Sequence, residues 1–281
     1  MTNDKIALQL QPKEYKSTVK PVWCPGCGDF GVLGALTKAL AGLKIQPEDA
    51  AVISGIGCSS RMPTYLSTYG FHGVHGRALA VATGLKVARP DLTVIATGGD
   101  GDGFSIGGNH FLHTCRRNPD LTYIVMDNQV YGMTKGQASP TTEPNWERAK
   151  LTPSGTGINP FQPLAIALAS GANFIARCSS SDSNGTARVL MEAIRHPGFS
   201  MVQVLSPCVT FRPEQREWKR SLVPAPEDMQ RTPDPAEAAR LLMTDEGVYT
   251  GILYVGDRPV YQPKLKSEID NIATLDEEFR L

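Results

Sequence analysis

Two short turns carry the residues best suited to chemistry. Gly98-Gly99-Asp100-Gly101-Asp102 sets two carboxylates among glycines directly after an apolar run, and Asp127-Asn128-Gln129-Val130-Tyr131-Gly132 sets further oxygen donors directly after the next. A magnesium ion takes oxygen ligands in near-octahedral geometry and prefers sites that phosphate oxygens complete. Asp100 offers a carboxylate, Asn128 a side-chain carbonyl and Val130 a main-chain carbonyl. Gly99 and Gly101 let the backbone approach an anion with no Cβ in the way, and the amides opening the next helix add donors. Together these groups can hold a divalent cation and, through it, a diphosphate. An isolated Gly-Asp-Gly would be read as a solvated turn; the stronger reading rests on both turns standing at strand ends.

Six cysteines form the second constellation. Trp23-Cys24-Pro25-Gly26-Cys27 alone would suggest a thioredoxin-like redox pair. Cys58 follows a strand in Gly55-Ile56-Gly57-Cys58-Ser59-Ser60, and Cys208 follows Ser206-Pro207 after the last core strand. Four cysteines on loops and strand ends can converge as a four-sulfur site, which suits zinc or an iron–sulfur cluster; composition does not choose between them. Cys115, on a helix beside Arg116 and Arg117, and Cys178, ending a strand, read as packing residues.

The elements that must position these groups alternate between strand and helix. Asp29 reads as the N-cap of a helix with Leu33, Leu36, Leu40 and Leu43 at helical spacing. Strands are expected over residues 51–56, 92–97, 121–126, 173–176 and 201–205, and helices over 76–88, 106–117, 161–169 and 183–195. The unit 92–126 is β-α-β, so its strands should be parallel with their carboxyl ends on one edge, where open α/β sheets bind ligands. Residues 134–159 read as a long irregular loop, a usual sign of function. A short helix near 235–243 and a strand near 249–255 follow a proline- and charge-rich stretch. The expected fold class is α/β: a mostly parallel open sheet with helices on both faces. Residues 1–22 read as an N-terminal arm, 23–208 as the α/β domain and 209–281 as an extension that contacts another subunit.

Bulk properties exclude several functions. The 281 residues can bury a substantial core. With 28 Lys plus Arg against 28 Asp plus Glu, no net field draws the chain to nucleic acid or an anionic membrane. No apolar run reaches a membrane-spanning length, and Met-Thr-Asn-Asp-Lys lacks the pattern of a secretory signal. A cytoplasmic protein is the expectation, and a disulfide framework is not.

The two oxygen-rich turns, just under thirty residues apart, resemble the thiamine diphosphate signature. The usual signature ends in Asn-Asn where this chain has Asp127-Asn128, but only the second position is expected to ligate metal. Cys-Pro-Gly-Cys-Gly, Gly-Ile-Gly-Cys-Ser, His75-Gly76-Arg77-Ala78, Gly-Asp-Gly-Asp, Tyr131-Gly132-Met133-Thr134-Lys135-Gly136-Gln137 and Ser206-Pro207-Cys208 occur in one order. Over about residues 20–215 that series resembles the β subunit of the 2-oxoacid:ferredoxin oxidoreductases built from one long and one short chain. The resemblance implies a [4Fe–4S] cluster on Cys24, Cys27, Cys58 and Cys208. It also implies thiamine diphosphate and Mg²⁺ bound through Asp100, Asn128 and Val130, with Ile56, Gly57, Cys58, Ser59, His75, Gly101, Asp102, Gly132 and Met133 lining the cofactor. The implied reaction is oxidative decarboxylation of a 2-oxoacid, with coenzyme A taking the acyl group and electrons leaving through the cluster to ferredoxin. The glutamate that activates the cofactor has no motif here and is implied to come from a larger α subunit, in a dimer of αβ heterodimers. Arg61, three residues past Cys58, is the candidate for the substrate carboxylate.

The overall resemblance favours 2-oxoglutarate over pyruvate as substrate. A non-oxidative thiamine decarboxylase or synthase subunit would leave four cysteines idle, and a zinc-stabilised binding module would leave the acidic turn unexplained.

Overall fold

The computed structural model describes residues 10–244 and 247–262. Its strands are β1 (Ala50–Ser54), β2 (Tyr69–His72), β3 (Thr93–Gly99), β4 (Leu121–Asp127), β5 (Phe174–Ser179), β6 (Phe199–Leu205), β7 (Val223–Pro224) and β8 (Tyr249–Val255). They form one sheet in the order β2-β1-β3-β4-β6-β5-β8-β7. Every pairing from β2 through to β5 is parallel, β8 joins β5 antiparallel, and β7 pairs with β8 in parallel.

The central strands are buried on both faces, so they read as continuous apolar runs with alternating destinations. In β4, Ile124 and Met126 enter one core and Tyr123 and Val125 the other. The first core lies under α1 (Asp29–Leu43) and α5 (Ser183–Arg195), which pack on each other. The second lies under α2 (Ala78–Ala88), α3 (Gly108–Arg117), α4 (Pro163–Ala169) and α7 (Pro235–Thr244). A one-turn helix, α6 (Trp218–Ser221), precedes β7. Helices therefore cover both faces of a mostly parallel sheet.

Register decides what meets what at the carboxyl edge. Ser54 pairs with Thr97, Gly99 with Met126, and Asp127 with Leu205. The turns that follow β1, β3, β4 and β6 therefore emerge side by side, bringing residues 55–58, 100–102, 127–132 and 206–208 to one edge.

Several local expectations shift. Gly28, not Asp29, is the N-cap of α1; Asp29 is the first helical residue and is buried, its Oδ1 accepting from Ser206 Oγ at 2.7 Å. β3 runs on through Gly98 and Gly99, so the helical turn begins at Asp100 itself. A π-helical turn over Asp102–Ile106 separates that point from α3. β2 was not legible as a strand: it is a four-residue edge strand, exposed along its length, with Tyr69 and Phe71 outward. The N-terminal segment is docked through Tyr15, which is fully buried and donates to the Ile45 carbonyl at 2.8 Å. The segment after Cys208 adds β7 and β8 to the same sheet, and residues 263–281 lie outside the described residues.

Candidate functional site

The acidic turn is buried and tightly partnered. Asp100 Oδ2 accepts from Ser139 Oγ and, at 2.8 Å, from Thr141 Oγ1. The same Thr141 hydroxyl lies 2.9 Å from Asp127 Oδ1. A hydroxyl has one proton to donate, so one of these two contacts lacks a hydrogen while both carboxylates are charged. Burial, reinforced by the charge of Asp127, pushes Asp100 up to about 7, and burial raises Asp127 as well. A divalent cation relieves such an arrangement, because it offsets the charge that burial disfavours. Asn128 Oδ1 accepts from the Val130 amide at 3.1 Å, and Gln129 takes a left-handed φ of 54°, so the turn curls round its own side-chain carbonyl. These donors fit a hard cation.

One cavity of about 150 Å³ gathers most residues that the sequence singled out: 56–59, 75, 100–102, 128, 130, 132 and 133 all line it. Tyr131 closes one side, its hydroxyl donating to the Gly101 carbonyl at 3.3 Å. A Cβ on Gly101 would fall 2.2 Å from the Tyr131 ring, so only glycine admits this contact.

Asp102 turns its carboxylate into the protein. Oδ1 accepts from the Ile56 amide at 2.9 Å and the Gly76 amide at 2.7 Å, and lies 2.7 Å from His75 Nδ1. The side chain thereby ties together the turn after β1 and the turn before α2. That bonding puts the hydrogen of His75 on Nδ1 in the neutral ring.

The cysteines differ in burial. Cys27, Cys58 and Cys208 are half-buried and Cys24 is exposed, whereas Cys115 and Cys178 are buried in the two cores. Burial raises the Cys27 and Cys58 thiols, Cys58 to about 11. Nearby charge adds to both shifts, that of Asp29 first; Cys58 and Cys208 then add to that of Cys27, and Cys208 and Cys24 to that of Cys58. A Cβ on Gly132 would sit 3.9 Å from Cys58 Sγ and 4.0 Å from Cys208 Sγ, so the missing methyl leaves space that both sulfurs face. Trp23 Nε1 donates to the Cys58 carbonyl at 2.7 Å and fastens the first cysteine loop to the second. Among the described residues no three His, Cys, Asp or Glu side chains gather tightly enough for a single metal ion. The mutual influence of Cys24, Cys27, Cys58 and Cys208 on their thiols places the four side chains near one another.

Arg61 lies exposed on the 3₁₀ segment Ser59–Tyr65, close enough for its charge to lower the Cys58 thiol slightly against the rise from burial. It does not line the cavity.

Other contributors carried no motif. Ser139 and Thr141 sit in the long loop that sequence reading marked as functional, but which hydroxyl meets Asp100 depends on how that loop folds back. Arg212 is buried, pairs with Glu143 and Glu214, stacks over Trp146 at 4.4 Å and donates to the Gln129 carbonyl at 3.2 Å. It fastens the loop to the second oxygen-rich turn.

Comparison with known proteins agrees with this fold. Residues 55–204 match the family model described as thiamine pyrophosphate enzyme, C-terminal TPP binding domain. The chain is 48% identical over 199 residues to the 2-oxoglutarate oxidoreductase subunit KorB of Mycobacterium tuberculosis, a match covering 71% of this chain and 53% of that protein. It is 40% identical over 255 residues to the β subunit of 2-oxoacid:ferredoxin oxidoreductase 2 of Aeropyrum pernix, covering 86% and 82% respectively. The chain thus spans about half the length of the mycobacterial relative. Among solved structures, the 2-oxoglutarate:ferredoxin oxidoreductase of Magnetococcus marinus, with 2-oxoglutarate, coenzyme A and succinyl-CoA bound, superposes with a TM-score of 0.87. That match has 43% identity and covers 96% of this chain and 90% of the other.

Proposed function

The chain belongs to the β subunits of the 2-oxoacid:ferredoxin oxidoreductases, and we propose that it is the cofactor-bearing half of an enzyme that oxidatively decarboxylates 2-oxoglutarate. The products are succinyl-coenzyme A and CO₂, with electrons passed to ferredoxin. The observation that carries this reading is the meeting of two constellations at Gly132, where the turn bearing the candidate magnesium donors runs past Cys58 Sγ and Cys208 Sγ. The preference for 2-oxoglutarate rests on the substrate in the names of the mycobacterial and Magnetococcus proteins.

In this reading Asp100, Asn128 and the Val130 carbonyl hold Mg²⁺, and through it the diphosphate. Cys24, Cys27, Cys58 and Cys208 hold a [4Fe–4S] cluster. When bound, thiamine diphosphate supplies the ring that accepts the electron pair released with CO₂, and the cluster supplies a one-electron acceptor beside it. The protein's own part is geometric. Ser139 and Thr141 orient the Asp100 carboxylate, Asp102 fixes the two turns that flank the cavity, and Tyr131 covers Gly101. His75, Gly132 and Met133 border the remaining space, and Arg61 binds the substrate carboxylate from outside the cavity.

A cavity of about 150 Å³ is smaller than the roughly 300 Å³ or more usual for small-molecule sites. A larger α subunit, supplying the activating glutamate, completes the site, and two αβ pairs associate. The test is anaerobic assay of the chain alone and with its larger subunit, following coenzyme A-dependent ferredoxin reduction over a panel of 2-oxoacids. Activity only in the complex, with 2-oxoglutarate preferred, is expected. Full-rate turnover by the chain alone would overturn the shared site.

A further inference from the structure

Gln215 is fully buried and lies beyond the last cysteine, outside every motif described above. Its side-chain amide makes two hydrogen bonds to main chain. Nε2 donates to the Asn128 carbonyl at 2.7 Å, and Oε1 accepts from the Cys208 amide at 2.9 Å. The orientation of the amide is set by its partners, because a carbonyl needs a donor and an N–H an acceptor.

We propose that Gln215 is a positioning residue that couples the magnesium–diphosphate turn to the iron–sulfur ligand Cys208. The inference rests on the cofactor assignments made under the proposed function. Asn128 belongs to the oxygen-rich turn and Cys208 to the sulfur quartet, so one side chain fixes a backbone atom in each. The surrounding segment is built to hold it. The Arg212 amide donates to the Cys208 carbonyl at 2.8 Å, and the Gln215 amide to the Arg212 carbonyl at 3.0 Å. Arg212 itself donates to the carbonyl of Gln129, one residue along from Asn128. Residues 208–215 thus curl back over the metal turn, and two successive carbonyls of that turn are held by side chains from the cysteine segment.

A second effect concerns the cluster. N–H groups pointed at cluster sulfurs help set its potential. The Cys208 N–H is held by Oε1 and so is kept from turning toward the sulfur.

The test uses Gln215→Glu and Gln215→Leu in the anaerobically purified complex with the larger subunit. Three quantities are measured: Mg²⁺-dependent thiamine diphosphate affinity, iron content, and the midpoint potential of the cluster. Ionised glutamate still accepts from the Cys208 N–H but cannot donate to the Asn128 carbonyl, so binding is measured at a pH high enough to ionise it. Cofactor affinity should therefore fall about 10- to 100-fold, the usual cost of losing a supporting contact at a metal site, while iron content stays at the wild-type value and the added charge lowers the cluster potential. Leucine loses both bonds and should lower affinity and shift the potential together. If both variants match wild type, or if Gln215→Glu leaves cofactor affinity unchanged, the coupling role is overturned while the proposed function stands. If the wild-type complex holds neither iron nor thiamine diphosphate, the proposed function fails, and the coupling with it. Should Gln215→Leu fail to fold, the near-isosteric glutamate variant decides alone.

Discussion

Asp100 and Asp127 share one hydroxyl: Thr141 Oγ1 lies 2.8 Å from the first and 2.9 Å from the second. Both carboxylates are buried, and each is raised by that burial. Removing the charge at the ligand position should remove the metal. Asp100→Asn is expected to weaken Mg²⁺-dependent thiamine diphosphate binding by at least about a hundredfold. Titration calorimetry on the complex checks this, and near-wild-type affinity would release Asp100 from the metal.

Asp127→Asn tests the other half of the pair. The carboxylate accepts from Thr141, from Gln203 Nε2 at 2.7 Å and from the Gln129 amide at 3.1 Å; an amide keeps the first and the last, while Gln203 is held in place by Arg177 Nε, which donates to its Oε1 at 2.9 Å, and loses its contact. Losing a buried charge beside Asp100 should stabilise the metal-free chain at pH 8 by about 2–4 °C in Tm. The sign follows from linkage. A carboxyl whose folded pKa is raised binds more protons folded than unfolded, so the charged pair destabilises most at high pH. The gain should therefore shrink as pH falls below about 7. A melting series with and without Mg²⁺ measures it.

His196 predicts the opposite slope. It ends α5, its ring lies 5.5 Å from Phe174, and burial lowers its pKa below the ordinary 6.5. A base with a lowered folded pKa binds fewer protons folded than unfolded. Its contribution is intact above the unfolded pKa and is lost as pH falls through 6.5 and below. His196→Gln should flatten the decline in stability between pH 6.5 and 5; an unchanged slope would show that other groups cause it.

The cysteines divide into two groups with different readouts. Cys208→Ala should lose iron and visible absorbance. Cys115→Ala should keep both and cost only about 1 kcal/mol of stability, as a buried packing residue does. Iron and sulfide analysis of anaerobic preparations separates the two, and full iron content in Cys208→Ala would remove that residue from the quartet.

Arg61→Ala should raise the KM for the 2-oxoacid about tenfold or more, the scale of a charge-assisted hydrogen-bond pair. The thiamine diphosphate Kd should stay unchanged. Steady-state kinetics alongside cofactor titration distinguishes this from a general disturbance of the Cys58 loop.

Much of the molecule was legible in the sequence where pattern is local. The β3-α3-β4 unit, the strands flanking it and the cavity-lining turns follow from apolar runs punctuated by glycine, asparagine and aspartate. What escaped depends on tertiary contact. β2 is short and its aromatic residues face outward, so no alternating pattern marks it. Asp29 looked like a cap, yet its carboxylate is used by Ser206, 177 residues away. Ser139, Thr141, Arg212 and Gln215 act through loops whose return path no periodicity encodes. Asp102 was expected near the cofactor by resemblance, but its role in joining two turns appears only once Ile56 and Gly76 lie beside it.

The edge strand β2 carries a practical consequence. Among the described residues it pairs only with β1, so one row of its backbone amides and carbonyls is left without a partner strand beside the exposed rings of Tyr69 and Phe71. An open strand edge is a template for adding further strands from other molecules. Produced without companions, the chain should oligomerise and cloud as its concentration rises. Expression strategy therefore matters as much as buffer: synthesis alongside a protein that covers this rim should keep the preparation clear.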